Sequence, residues 1–197
     1  MRDLNPKMSP LEKIRKFYHS ESFWAGIFRD FLFVITVVAV FASVSRVAFG
    51  LWTPMVAVES ESMVPHIQIG DIIFMESIDR TGIVTQMDGK QMGYTSFDDY
   101  GDVILYRPFG REDKTPVIHR AMYYVEEGEP MWNGGPSAPH PGYITKGDNN
   151  PSYDQKGSIS YLQPVKKEWI TGVARNSRVP VLGCISLAAR GNFVCFK

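Results

Sequence analysis

Ser62 stands in the segment Val58-Glu59-Ser60-Glu61-Ser62-Met63-Val64-Pro65, an irregular turn region after a short apolar run. A serine hydroxyl becomes a useful nucleophile only when a nearby base takes its proton during attack. Four histidines are candidates for that base. His19 lies in the N-terminal tail, His66 one residue past Pro65, and His140 in a Pro-rich loop. His119 falls inside Val117–Val125 (VIHRAMYYV), the best β pattern in the chain. Alternation there puts His119 and Ala121 on one face and Ile118 and Arg120 on the other. A ring carried on a strand keeps a fixed pose, which base catalysis needs. Two acids surround an Asn-rich turn: Asp148 in Gly147-Asp148-Asn149-Asn150, and Asp154 shortly before Gly157. Singly, such residues serve as ordinary turn and strand residues. Together they are the types that nucleophilic acyl transfer requires.

The elements that must hold these residues divide into two kinds. Phe31 to Ser45 carries no charge, and Val47 to Trp52 continues it past Arg46. From Phe31 to Trp52 a helix would measure about 33 Å, enough to cross a bilayer. Arg46 can snorkel to the headgroups, and Trp52 sits where interfacial aromatics anchor. Arg29, Lys16, Arg15 and Lys13 precede the span, while Thr53 to Ile72 contains no Lys or Arg. The positive-inside rule then puts the N-terminus in the cytoplasm and the body outside or in a lumen. The expected organisation is a cytoplasmic tail at 1–30, a transmembrane helix at 31–52 and an extracytoplasmic domain at 53–197.

Past Trp52 the pattern shortens to β-branched runs between turns. Expected strands are Met55–Val58, Asp71–Met75, Asp102–Tyr106, Val117–Val125, Tyr143–Lys146 and Trp169–Ala174. Ser77–Tyr100 and Glu126–Pro141 read as polar excursions. Val179–Ala189 is apolar but too short to span a membrane. It reads as a core strand with a turn, or as a segment lying back on the bilayer surface. Cys184 and Cys195, the two cysteines, are either bridged or free and buried. The 197-residue chain has 21 Lys+Arg against 21 Asp+Glu, a balance that argues against nucleic acid as partner. No CxxC pair suggests zinc, and no metal or cofactor is expected.

Four blocks, VESESMVPHIQIGDIIF (Val58–Phe74), GDVILYRP (Gly101–Pro108), VIHR (Val117–Arg120) and GDNNPSYD (Gly147–Asp154), follow the apolar segment in this order. In order and content they resemble the type I signal peptidase family, in its archaeal and endoplasmic-reticulum branch. The resemblance implies a mainly β protein, an N-terminal transmembrane helix followed by a β-rich catalytic domain. It implies a serine endopeptidase that removes signal peptides from exported preproteins. Ser62 would be the nucleophile and His119 the general base, where the bacterial branch uses Lys. Asp154 would orient His119, and Asp148 would support the site through hydrogen bonds. Ser60 looks like the side-chain donor of the oxyanion hole, beside the Ser62 amide. Gln155-Lys156 departs from the common pattern, in which an acid, Ser or Arg often follows the aspartate.

Implied partners are signal-peptide-bearing preproteins, the lipid bilayer and other membrane subunits. The resemblance favours a cell membrane, with the endoplasmic-reticulum membrane as the alternative. Small-residue pockets would be walled by Val58–Glu61 and Gly101–Tyr106. Two other readings stand beside this one. In one, a related processing protease uses a Ser-Lys pair drawing on Lys114 or Lys146. In the other, a non-catalytic, membrane-anchored β-domain binds secreted proteins.

Overall fold

A computed structural model describes residues 22–196, together with Ser9, Leu11, Glu12, Arg15, Tyr18 and His19. Half of the expected tail therefore lies outside the described residues, including the basic Arg2, Lys7, Lys13 and Lys16. Helix α1 covers Phe23–Phe49, and of its residues only Ala25 and Ser45 are buried. Its length is about 40 Å at the α-helical rise. Phe31, Val34, Val38, Phe41 and Val44 are all exposed. A helix apolar on every side and left uncovered by the body is built for lipid, where its backbone satisfies itself.

The helix starts earlier than the charge-free run, because Phe23, Trp24, Ile27 and Phe28 extend the apolar surface past Arg29 and Asp30. It also stops short of the expected Trp52. Gly50 takes the left-handed conformation (φ 72°) and donates its N–H to the Arg46 carbonyl, which closes the helix. The helix end is fastened to the body. Ser77 N donates to the Phe49 carbonyl at 2.8 Å, Arg80 reaches the Val47 carbonyl, and Phe49 stacks on Phe74.

Strands β1 (Met55–Ala57) and β2 (Ile72–Glu76) follow, antiparallel, with the Ser62 loop between them. The expected polar excursion at Ser77–Tyr100 is ordered. It holds short helices α2 (Ile78–Thr81) and α3 (Gln86–Met92), N-capped by the Ser77 and Thr85 hydroxyls. A small hairpin of β3 (Thr95–Ser96) and β4 (Asp99–Tyr100) completes it. Then come β5 (Val103–Tyr106), β6 (Val117–Val125), β7 (Gly142–Lys146) and β8 (Ile170–Val179). The main sheet runs β1-β2-β8-β5-β6-β7, every pair antiparallel, so β5 and β6 lie within it. Fully buried Val103, Ile104, Ile73, Ile144 and Val173 form its apolar interior.

The strand expected over Val179–Ala189 is not formed. β8 ends at Val179, Pro180 interrupts it, and α4 covers Leu182–Ala189. Cys184 is joined to Cys195, with Cα atoms 5.8 Å apart. The bridge rests on Gly70, which has φ +82° and donates its N–H to the Val58 carbonyl. A Cβ at Gly70 would stand 2.2 Å from the Cys184 sulfur, and the crosslink leaves that sulfur no room to retreat. Gly70→Ala is therefore expected to destabilise the fold by about 2 kcal/mol through overpacking and an unfavourable φ. A lowered unfolding midpoint of the full chain in detergent checks this; an unchanged midpoint contradicts it.

Candidate active site

The Ser62 loop closes at its base through Val58 N to Asp71 O and Gly70 N to Val58 O, each 2.9 Å. Met63 and Ile67 are wholly buried and anchor the loop. With those two turned inward, Ser62 is left partly exposed at a cavity of about 710 Å³. Ser60 and His119 line the same cavity. Ser60 Oγ and Ser62 Oγ are 3.2 Å apart, so the two hydroxyls hold one another. Apolar walls come from Val56, Val58, Leu105, Ile118 and Ile159. Of the expected wall segments, Val58–Ser60 and Leu105 take part, and β6 and Ile159 supply the rest. Neither Lys114 nor Lys146 lines the cavity.

His119, on β6 opposite Ile104, is 2% exposed. Its Nδ1 lies 2.7 Å from Asp154 Oδ2. A carboxylate only accepts, so Nδ1 carries the proton, and the neutral form of the ring has its lone pair on Nε2. The same Oδ2 accepts from Tyr106 Oη at 2.9 Å and Thr145 Oγ1 at 2.7 Å. Burial, with the Asp154 charge beside it, pushes the Tyr106 phenol well above its ordinary range, so it stays a donor. Gln155 pins Thr145 from behind. Its Oε1 accepts from Thr145 N at 3.1 Å, and its Nε2 donates to Thr145 Oγ1 at 3.3 Å. Gln155, the departure from the family pattern, is thus the residue that orients a donor to Asp154. Three donors on one carboxylate oxygen fix the acid, and the acid fixes the imidazole.

Asp148 stands elsewhere. It accepts two bonds from Arg120, Nε at 2.9 Å and Nη2 at 2.7 Å, and one from His66 Nδ1 at 2.8 Å. Arg120 has no solvent exposure, and its Nη1 donates to the Ser96 and Gly101 carbonyls at 2.9 and 2.8 Å. The ion pair therefore joins β6, the turn after β7 and the β3–β4 hairpin, and His66 draws in the Ser62 loop.

The turn after β7 also grips that loop directly. Asn149 N donates to the Ser62 carbonyl at 2.9 Å, and Asn149 Nδ2 to the Glu61 carbonyl at 3.1 Å. Gly147 permits this approach, since a Cβ there would lie 2.6 Å from the Ser62 oxygen. The glycine and asparagine of the Gly-Asp-Asn-Asn block therefore position the serine backbone, and its aspartate holds Arg120.

The residues singled out in the sequence fall into two linked clusters. Ser60, Ser62 and His119 share the cavity, with Asp154 behind His119. Asp148 supports the cavity's rim through Arg120 and His66. Sequence reasoning assigned no role to Arg120, Thr145 or Gln155, placed Tyr106 only in a pocket wall, and weighed His66 only as a candidate base. Adjacency to His119 and Asp154 hinted at Arg120 and Gln155. The arrangement supplies a serine hydroxyl, an imidazole with a free Nε2, a buried orienting carboxylate and two candidate oxyanion donors.

Two substitutions test this geometry. Gly147→Ala is expected to displace the Ser62 carbonyl and lower any Ser62-dependent turnover by about 100-fold, the scale for an ångström of misplacement. Labelling of Ser62 by a serine-directed phosphonate reads this; an unchanged labelling rate contradicts it. Arg120→Lys keeps the charge but loses the fork that spans carboxylate and carbonyls. It is expected to destabilise the chain by about 3 kcal/mol, as when a buried pair is broken. Chemical denaturation checks that value.

No family model matches the chain. It is similar to the signal peptidase complex catalytic subunit sec11 of Schizosaccharomyces pombe, 32% identical over 142 residues. That alignment spans 68% of this chain and 66% of the relative. It is also similar to the signal peptidase complex catalytic subunits SEC11 of Paracoccidioides brasiliensis (strain Pb18) and Paracoccidioides lutzii. Both are 29% identical over 178 residues, covering 78% of this chain and 80% of the relative.

Proposed function

Because the chain belongs to the type I signal peptidase family, in the branch of these catalytic subunits, we propose that it is a membrane-anchored serine endopeptidase removing signal peptides from exported preproteins. The observation that carries this reading is the buried His119–Asp154 pair opening on one cavity with Ser62 and Ser60. Ser62 is the nucleophile. On substrate entry its Oγ turns from Ser60 toward His119 Nε2, which takes the proton as the scissile carbonyl is attacked. Asp154 holds the tautomer and balances the imidazolium that forms. Tyr106 and Thr145 keep Asp154 in place as positioning residues. The Ser62 N–H and the freed Ser60 hydroxyl face the developing oxyanion. His119 then returns its proton to the leaving amine, and water hydrolyses the acyl-enzyme by the same route in reverse. Asp148 acts through Arg120 and His66, away from the reacting atoms.

Substrate reaches this site along the sheet edge. β1 is an edge strand whose Val56 and Ala57 line the cavity, so an extended peptide can pair beside it. The apolar walls suit small residues before the cut. A second cleft of about 280 Å³ shares Met55–Ala57 with the first and reaches Phe41 of α1. This continuity supports a site at the bilayer surface, where a signal peptide leaves its apolar part in lipid. The cationic residues before α1 support a body on the extracytoplasmic or luminal face. The relatives are named as subunits of a complex, and we extend this to other membrane subunits meeting this chain along α1.

Cleavage of a preprotein by the full chain in liposomes tests the proposal. Wild type is expected to cut after the small-x-small site, with Ser62→Ala and His119→Ala inactive. Asp154→Asn is expected to lose about 10⁴-fold in kcat, the scale for a wrong imidazole tautomer. Asp148→Asn is expected to lose activity in step with stability. Retained activity in His119→Ala would overturn the assigned base, and in Ser62→Ala the enzyme class itself.

A further inference from the structure

Arg190 stands where two clefts meet. It lines the cavity that holds Ser62 and His119, and it also lines the cleft that reaches Phe41 of α1. The two clefts share Met55, Val56 and Ala57 of β1, and Ser62 belongs only to the first. Arg190 therefore marks the α1 side of the serine. Its backbone is well held. Gly183 N, at the start of α4, donates to the Gly70 carbonyl at 2.9 Å, which ties α4 to the base of the Ser62 loop. The Cys184–Cys195 bridge clips the far end of this lobe back onto α4. Arg190 N donates to the Leu187 carbonyl at 3.0 Å, at the close of the helix.

The guanidinium itself is under-used. Its fork offers five N–H donors. Among the described residues its one side-chain bond goes to Ser186 Oγ, at 2.9 Å from Nη2, and Ser186 lines the outer cleft. Arg80, Arg111, Arg120, Arg175 and Arg178 each face a carboxylate, and Arg190 does not. Glu59 is the one carboxylate lining the larger cavity among the described residues, and it accepts from Asn192 Nδ2 at 3.4 Å instead. The shared wall of Met55, Val56 and Ala57 is apolar. An unmatched cation thus faces a groove that otherwise offers no charge there. A carboxylate presented by an occupant would match the fork, and an ammonium would be repelled.

We propose that Arg190 is a specificity-determining residue, which selects substrates carrying an acidic side chain between their apolar segment and the cut. The inference rests on the peptidase reading, in which the apolar segment lies toward α1 and the cut lies at Ser62. A peptide laid along β1 advances about 3.3 Å per residue, so the side chain that meets Arg190 belongs to roughly the fourth to sixth residue before the cut. Arg190 is away from the reacting atoms and grips substrate and transition state alike. Its effect is therefore carried in KM, with kcat little changed.

The test follows cleavage of a preprotein with Glu, Gln or Lys placed singly at the fourth, fifth or sixth residue before the cut. The full chain is used both in uncharged detergent and in phosphatidylcholine–phosphatidylglycerol liposomes. At one or two of these positions wild type is expected to prefer Glu over Lys by about fivefold in kcat/KM, the scale of one partly exposed ion pair. Arg190→Glu is expected to reverse that order and Arg190→Gln to flatten it. Lys90→Glu, on the exposed face of α3, is expected to leave it as in wild type. Equal cleavage of all three substrates by wild type overturns the proposal and leaves the peptidase reading standing. So does an order that Arg190→Glu fails to change. An order seen in anionic liposomes and absent in detergent assigns the effect to the lipid charge and overturns the proposal as well. Binding of the same preproteins to the Ser62→Ala chain separates the two readings. The Glu preference in affinity, without cleavage by wild type, upholds the role of Arg190 and sinks the peptidase reading.

Discussion

The buried guanidinium of Arg120 is the constraint around which the site is organised. A cation removed from water is tolerable only when its donors are satisfied. Asp148 takes two of them, and the carbonyls of Ser96 and Gly101 take others. To satisfy one side chain, three separate stretches must meet: the middle of β6, the turn after β7 and the β3–β4 hairpin. Once they meet, His119 on the opposite face of β6 is delivered to the cavity. The turn after β7 is in place to hold the Ser62 backbone through Asn149. The polar network thus converts strand register into site geometry, and its cost in desolvation is offset by a specific, fully paired arrangement.

The division between the two aspartates follows from their surroundings. Asp154 sits in a polar pocket of neutral donors, Tyr106 and Thr145, plus one imidazole. In the proposed mechanism such a carboxylate answers a proton arriving on His119. Asp148 is already matched by a permanent cation, so it has little left to offer an imidazolium. Two acids only a few residues apart in the chain are assigned to electrostatically different tasks by the partners that face them.

Much of this was legible from residue types. Val117–Val125 forms as its alternation dictates, because β-branched and aromatic residues recur without interruption. The apolar segment before the body makes a helix for equally simple reasons. Arg120 was not legible, since an arginine on a strand ordinarily faces water, and only the hairpin over it changes that. The hairpin itself carries no glycine signal. Its turn residues Phe97 and Asp98 take positive φ values of 52° and 60°, conformations that sequence patterns assign to other residue types. The ordered helices between Ser77 and Tyr100 are short and lack an apolar period, so only their caps mark them. Val179–Ala189 is equally apolar in either register, and the choice of helix is made by Pro180 and by the cysteine that must reach Gly70.

The fastening of α1 to the body has a consequence for measurement of length. Phe49 and Val47 are held by Ser77, Arg80 and Phe74, and Leu51 packs into the β-sheet core. No supple linker separates the span from the sheet, so the cavity sits at a constant height over the lipid. The bilayer then serves as a ruler. In the proposed function, a chain emerging from it is offered to Ser62 at a fixed number of residues from its apolar end, and where it is cut is then set by reach as much as by side-chain fit.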